Sequence, residues 1–235
     1  MYRPPNRRAN RDAYILFAIL AAVQQQLSQL RFTPYVTVGI IGVLVAIHEG
    51  ILEIGDPHYK CISASKIIRG GSFEVLYLWH LLHMDDMHLY YNVLSFLHKG
   101  IQLEKSRGSV GLFRMLLLFA ALTSIYYVAL CMLGDAAGWT GMLRSCTVGW
   151  SGVIFALKAF LQAKDTGTAY VQGLSLPSKF AAWAELIAIQ MVSPNASFTG
   201  HLAGILSGLT VLALENAIPS VRESHGWLQG SEPGP

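Results

Sequence analysis

Two short stretches of this 235-residue chain decide its fold: GWSGVIFA at residues 149–156 and GHLAGILSG at residues 200–208. The second stretch has a glycine at every fourth position, namely Gly200, Gly204 and Gly208. Residues with this spacing share one helix face. The first stretch has a matching pair of small residues, Gly152 and Ala156. Small residues let helices in a membrane approach closely, so we predict that the two helices pack along these faces.

Such packing would bring a serine and a histidine together. Ser151 lies between glycines at the start of an apolar segment, where backbone N–H groups and the helix dipole favour negative charge. A serine needs a base to become a nucleophile at neutral pH, and His201 opens the second segment. The motifs therefore indicate a catalytic pair. Two other interpretations stay open: small residues used only for packing, and a histidine hydrogen-bonded between helices.

A third motif, HLYYN at residues 88–92, precedes both stretches. His88 and Asn92 are four residues apart and share a helix face. Both side chains can donate a hydrogen bond to an oxyanion. We predict that they bind the reacting group together with Gly149, although polar contacts between helices would use the same residues.

The composition points to a membrane protein. Apolar residues make up 53% of the chain and charged residues only 13%, against about 25% charged residues in an average globular protein. The missing charge lies in long apolar stretches, which favours a bilayer over a soluble core. Six segments are predicted to span it: residues 33–47, 78–97, 112–133, 148–161, 180–192 and 198–214. Several are shorter than the roughly 20 residues of an ordinary span, which is typical of a bundle that thins the bilayer or encloses water.

A further apolar stretch, residues 13–30, follows a basic start and becomes rich in glutamine. With six spans, most lysines and arginines that flank the segments lie on the side of the N-terminus, and a seventh span would remove this bias. We therefore predict an interfacial or packed helix here, with both ends of the chain in the cytosol. The fold is predicted to be all-α, in three parts: a basic N-terminal region with this helix (1–32), a six-helix membrane domain (33–216) and a short tail (217–235).

The three motifs, in this order, resemble those of the rhomboid family of intramembrane serine proteases. The family has H-x-x-x-N in its second span, G-x-S-G in its fourth and a histidine followed by spaced glycines in its sixth. Residues 103–109, LEKSRGS, also resemble the family's loop between spans two and three. The resemblance covers about residues 34–208 and implies a rhomboid-like bundle of six transmembrane helices.

The resemblance also implies roles for individual residues. Ser151 and His201 would form a dyad without a third carboxylate, and His88, Asn92 and the backbone N–H of Ser151 would line an oxyanion hole. The family's relatives further imply a multi-pass protein of the endoplasmic reticulum membrane. Such a protein would cleave single-span or polytopic membrane proteins and help to dispose of unstable ones. The last predicted span ends about twenty residues before the last residue, so we carry over no degradation partner that binds a long tail.

Other partners and functions are weighed on the same residues. The net charge of +3 does not argue for nucleic acid, and the three cysteines lack metal-ligand spacing, so we expect no metal or cofactor. One alternative is a catalytically inactive rhomboid relative that binds or escorts membrane proteins. A more distant one is a small transporter or channel, with Lys158, Glu185 and His201 along its pathway.

Two pairs of residues carry separate expectations. Cys61 and Cys146 both lie in predicted non-cytosolic loops, where an oxidising compartment permits a disulfide. Lys158 and Glu185 each lie in an apolar span at matching predicted depths. Because charges inside a membrane pair or find water, we predict a polar cluster of these two residues below the catalytic level. The alternative is that Lys158 extends to the lipid headgroups and Glu185 is protonated.

Overall fold

The computed structural model describes residues 5–54, 60–68 and 75–217. The described chain is mostly helical. In chain order its elements are α1 (Pro5–Ser28), α2 (Tyr35–His48), α3 (Ala64–Ile68), α4 (Val75–Leu81), α5 (Asp86–Ala136), a 3₁₀ turn (Met142–Arg144), α6 (Ser151–Lys164), β1 (Thr168–Val171), β2 (Leu174–Pro177), a second 3₁₀ turn (Ser178–Phe180), α7 (Ala181–Val192) and α8 (Phe198–Ala217). The predicted tail lies outside the described residues, apart from its first position.

Two helices in the described part of the chain are long and apolar enough to cross a membrane, α5 and α8. The segment Tyr14–Ser28 of α1 and the whole of α2 are shorter apolar helices. The helical architecture is thus confirmed, whereas the count of six spans stays a prediction. Helix α1 begins earlier than the apolar stretch that predicted it, and it packs on α5 with Ile19 buried while Tyr14 and Phe17 stay exposed.

The second and third predicted spans both lie in α5, a helical run of two helices that meet at a break instead of being joined by a loop. The run is broken at Gly108, whose φ of 70° and ψ of 167° are not helical. Glycine adopts positive φ without steric penalty, so a single residue makes the break. The predicted second span also begins too early, because residues 82–85 are not helical and α5 starts only after Asp85. The carboxylate of Asp85 accepts a hydrogen bond from the backbone N–H of His88 at 2.9 Å and caps the helix.

The all-α prediction is wrong in one detail, an antiparallel hairpin of β1 and β2 between α6 and α7. Its two turn residues, Gln172 and Gly173, have φ values of 50° and 83°. Positive φ at both positions matches the tight turn that suits a two-residue hairpin. The usual signal for this turn is Asn-Gly or Asp-Gly, and its absence explains why the sequence did not predict the hairpin.

A buried carboxylate joins the start of α2 to the break in α5. Glu104 accepts hydrogen bonds from the backbone N–H groups of Val36 and Thr37, both at 2.9 Å, from the hydroxyl of Thr37 at 2.7 Å and from that of Ser109 at 2.6 Å. The first N–H groups of a helix have no partner within it, so Glu104 satisfies two of them on α2. It thereby fixes α2 against α5.

Helices α6 and α8 pack closest of all, along the predicted small faces. A Cβ atom on Gly204 would overlap the backbone carbonyl of Gly152, and one on Gly208 would overlap that of Ala156. A Cβ on Gly152 would in turn meet the methyl group of Thr123 at 2.8 Å. Two backbones therefore touch directly at these positions, and no residue larger than glycine fits.

This contact gives a prediction with an internal control. Gly208→Ala should destabilise the fold by roughly 1–3 kcal/mol, because the new methyl group has no room. The same change at Gly39 of α2, which has nothing within 4 Å of its added Cβ, should be neutral or stabilise by up to about 1 kcal/mol through helix propensity. Unfolding curves in detergent micelles measure both changes. Equal effects at the two positions would contradict the account of the α6–α8 contact.

Candidate active site

Ser151 and His201 lie together at the adjoining N-terminal ends of two packed helices. Ser151 is the first residue of α6, and His201 lies in the first turn of α8. The Nε2 atom of His201 is 3.0 Å from the hydroxyl oxygen of Ser151, which is hydrogen-bond distance. The close packing of α6 on α8 sets this distance, since the glycine contact begins one residue after Ser151.

The His201 ring is held by packing on its other side. It is buried and stacks on the ring of Phe155, with ring centroids 4.5 Å apart and planes at 24°. Its second nitrogen, Nδ1, has no hydrogen-bond partner among the described residues. No carboxylate in the described chain therefore orients this histidine, and the geometry is that of a two-residue arrangement.

The backbone before Ser151 requires a glycine. Gly149 has a φ of 123°, which residues other than glycine rarely adopt. A Cβ atom at this position would also lie only 2.7 Å from Nε2 of His88. The N–H of Gly149 donates to the carbonyl oxygen of Trp79 at 2.9 Å. Trp79 is fixed in turn, because its indole N–H donates to the hydroxyl of Ser124 at 2.8 Å. The sequence motifs did not reveal this support from α4 and α5.

His88 and Asn92 lie on the same face of α5, as their spacing predicts, and His88 lies against Gly149. The side-chain amide of Asn92 is buried and donates to the backbone carbonyl of His88 at 2.6 Å. A side-chain amide has two N–H donors, so the second N–H of Asn92 remains available for another acceptor. The structure thus brings His88 to the side of Ser151, while Asn92 braces the turn that carries His88.

The predicted disulfide is confirmed between Cys61 and Cys146, whose Cα atoms are 5.5 Å apart. Next to it, Ile62 and Thr147 form an isolated antiparallel bridge with backbone hydrogen bonds of 3.0 and 3.1 Å. The disulfide therefore fixes the loop before α3 to the segment that leads into Gly149.

The predicted polar cluster is also confirmed, as a direct ion pair between Lys158 of α6 and Glu185 of α7. A Lys in an otherwise apolar helix is costly unless it is paired, and here it is mostly buried. A cavity of about 250 Å³ lies beside Glu185, between the hairpin and α7. None of its lining residues belongs to the site of Ser151 and His201: Tyr170, Val171, Gln172, Glu185, Ala188 and Ile189.

A bundle of apolar helices with a partly buried serine next to a buried histidine at two adjoining helix ends is typical of one class of integral membrane proteins. The profile of the rhomboid domain matches residues 71–216, more than half of the chain. The chain belongs to the rhomboid family.

Individual relatives agree with this assignment. Rhomboid-related protein 4 of Mus musculus is 40% identical over 154 residues, which are 65% of this chain and 49% of that protein. Rhomboid-like protein 14, mitochondrial, of Arabidopsis thaliana is 33% identical over 219 residues, 90% of this chain and 64% of the relative. Rhomboid-type serine protease 2 of Saccharomyces cerevisiae is 28% identical over 155 residues, 65% of this chain and 57% of the relative. The chain spans about half the length of Rhomboid-related protein 4.

The ion pair beneath the site gives a second prediction. Lys158→Met and Glu185→Gln should each destabilise the protein, because each leaves the other residue without its counter-charge. Lys158 is buried but Glu185 is only partly so, and we therefore expect each loss to lie below the roughly 3–5 kcal/mol of a fully buried pair. The double variant should lose less than the sum of the two, with a coupling of about 0.5–3 kcal/mol. Unfolding free energies of the four proteins in the same detergent measure this coupling. Strictly additive losses would show that the two residues act independently.

Proposed function

We propose that this chain is an intramembrane serine endopeptidase that cleaves membrane-spanning proteins with a dyad of Ser151 and His201. The observation that carries the proposal is the 3.0 Å distance between Nε2 of His201 and the hydroxyl oxygen of Ser151. A histidine at hydrogen-bond distance from a serine is the arrangement that activates serine as a nucleophile. Membership of the rhomboid family supports the same chemistry.

In the first half of the proposed reaction, His201 takes the proton of the Ser151 hydroxyl as the oxygen attacks the carbonyl carbon of the scissile peptide bond. The C–N bond then breaks, and His201 returns the proton to the leaving amine. In the second half, a water molecule loses its proton to His201 and attacks the acyl-enzyme. The acyl–oxygen bond to Ser151 breaks, and the serine regains its proton.

His88, Asn92 and the backbone N–H of Ser151 are proposed to stabilise the oxyanion of this reaction. Ser151 is the first residue of α6, so its N–H has no acceptor within the helix. His88 lies against Gly149, two residues before the nucleophile. Asn92 has one amide N–H beyond its bond to the His88 carbonyl. The negative charge of the oxyanion would also stabilise the positive charge that the His201 ring gains when it takes the serine proton. This stabilisation matters because no carboxylate in the described chain binds the ring.

We also propose the membrane arrangement that suits this chemistry: six spans, an N-terminal interfacial helix and both ends in the cytosol of an endoplasmic reticulum protein. The bias of positive charge along the sequence supports the orientation. The exposed aromatic residues Tyr14 and Phe17 of α1 suit a helix at the membrane interface. One relative, Rhomboid-like protein 14 of Arabidopsis thaliana, is named as a mitochondrial protein.

The transporter alternative is less well supported. A pathway would need a continuous series of polar residues through the bundle. In the described part of the chain, Lys158 is paired with Glu185 and His201 with Ser151. These are two separate pairs, one between α6 and α7 and the other between α6 and α8, and the second is the pair that a hydrolase needs.

The dyad predicts a serine-dependent cleavage product. Co-expression with a tagged single-span membrane protein should give a shortened fragment with the wild type, and none with Ser151→Ala or His201→Ala, because the two residues act as one unit. Immunoblotting of both ends of the substrate measures this. Ser106→Ala and His98→Ala are matched controls. Both residues lie in α5, between the motif at residues 88–92 and the break at Gly108, and both variants should cleave the substrate normally. Capture of the substrate without any fragment would favour the inactive, escorting alternative.

Asn92 is predicted to assist the reaction rather than start it. Removing one oxyanion donor costs about 2.7–4 kcal/mol, or roughly 10²–10³ in kcat, so Asn92→Ala should slow turnover by that amount. Ser151 should still react with a fluorophosphonate probe, whose labelling is read on a gel. Asn195→Ala, in the loop before α8, controls for the substitution. A variant that neither labels nor keeps its fold would indicate that Asn92 only packs the helix.

A further inference from the structure

His83 is a buried histidine with no bonding partner. It lies in the non-helical residues between α4 and α5 and is 4% exposed. Neither of its ring nitrogens has a hydrogen-bond partner among the described residues. The neighbouring buried histidine differs, because Nε2 of His80 is bonded to the carbonyl oxygen of Ala120 at 3.0 Å. His83 thus has unused polar groups in a closed part of the protein.

Packing alone does not favour a histidine at this position. A buried polar atom without a hydrogen bond destabilises the folded state, and His83 has two such atoms. A phenylalanine would fill similar space without that cost. A polar ring retained at such a place is best explained by a bond that forms in the working state of the site.

The ring next to His83 belongs to His88. The two ring centroids are 5.0 Å apart, and the planes meet at 69°, so the edge of one ring faces the other. Nε2 of His88 lies close to Gly149, because a Cβ atom added to this glycine would be only 2.7 Å from that nitrogen. His88 therefore lies between His83 and the backbone that leads to Ser151.

The proposed role of His88 requires one particular tautomer. To donate to an oxyanion from Nε2, a neutral histidine must hold its proton there, which makes Nδ1 an acceptor. Which nitrogen holds the proton is set by the hydrogen bond that the other one makes. The ring of His83 is in contact with that of His88, and both of its nitrogens are without a hydrogen bond among the described residues.

We propose that His83 is a positioning residue for the oxyanion hole: its ring N–H donates to Nδ1 of His88 and so keeps the proton of His88 on Nε2, facing the reacting carbonyl. In the present structure the rings meet edge to face with centroids 5.0 Å apart, and the hydrogen bond is proposed to form when they reorient in the working site. The stretch that carries His83 is fixed nearby, because Nε2 of His48 pairs with Asp86 at 3.0 Å at the start of α5. The inference rests on the proposed function of His88, and His83 itself touches no substrate.

The discriminating variant is His83→Phe, which keeps the ring and removes the N–H. We expect kcat to fall at least about tenfold with little change in KM. This loss is smaller than the factor of roughly 10²–10³ in kcat for removing an oxyanion donor, because His88 stays in place and only part of it holds the wrong tautomer. The unfolding temperature should stay the same or rise, because two unpaired polar atoms are removed. His83→Gln, which keeps an N–H donor, should recover much of the lost turnover. In a His88→Phe background, His83→Phe should cause no further loss, because its effect passes through His88.

A spectroscopic measurement tests the inference independently of proteolysis. With ¹⁵N-labelled histidine in detergent micelles, His88 should show the Nε2–H tautomer in the wild type and a mixture of tautomers in His83→Phe. An unchanged His88 signal, or a loss of stability that accounts for the loss of kcat, would overturn the role of His83. Absence of any Ser151-dependent fragment in the wild type would overturn the proposed function instead, and the tautomer measurement would still decide the contact.

Discussion

The direct backbone contact between α6 and α8 is the constraint on which the rest of the site depends. Glycine on α8 faces carbonyl groups of α6 with no space for a Cβ atom. Helices that approach this closely have little freedom to slide or rotate, because a shift of one residue would bring a side chain into the contact. The contact therefore fixes the relative height of the two helix ends, and with it the distance between Ser151 and His201.

Three groups of charged side chains elsewhere in the bundle are paired, and each group joins two or more helices. Glu104 fixes the start of α2 on α5 through four hydrogen bonds. Glu215, near the end of α8, binds Arg107 through two hydrogen bonds of 2.8 and 3.0 Å and Lys164 through one of 2.8 Å. Lys158 and Glu185 connect α6 to α7. The helices are thus tied together below the site, while the serine and histidine lie at the opposite ends of α6 and α8.

Much of the fold and candidate site was predictable because it depends on spacing within helices. Glycines four residues apart predicted the packed face, and the interval from His88 to Asn92 predicted a shared face of α5. Burial of charge predicted the pairing of Lys158 with Glu185. These inferences need only the helical repeat and the cost of an unpaired polar group in a membrane.

The missed features depend on single backbone angles or on contacts distant in sequence. The break in α5 rests on the φ of Gly108, and the hairpin rests on positive φ at Gln172, a residue with no strong preference for it. The hydrogen bond from Gly149 to Trp79 joins segments whose relation only the folded chain defines. The ring contact of His83 with His88 is local, but it depends on the non-helical backbone between α4 and α5. His83 in particular precedes the recognisable motif by five residues, and only its lack of partners marks it.

The central claim is that His201 activates Ser151 across the α6–α8 contact. Peptide mass mapping after brief exposure to a fluorophosphonate tests it directly, since the chain contains many serines and only an activated one reacts quickly. The account predicts one adduct, on Ser151, in the wild type, and its loss in His201→Gln at an unchanged unfolding temperature. Adducts spread over several serines, or undiminished labelling of Ser151 in a folded His201→Gln protein, would contradict it.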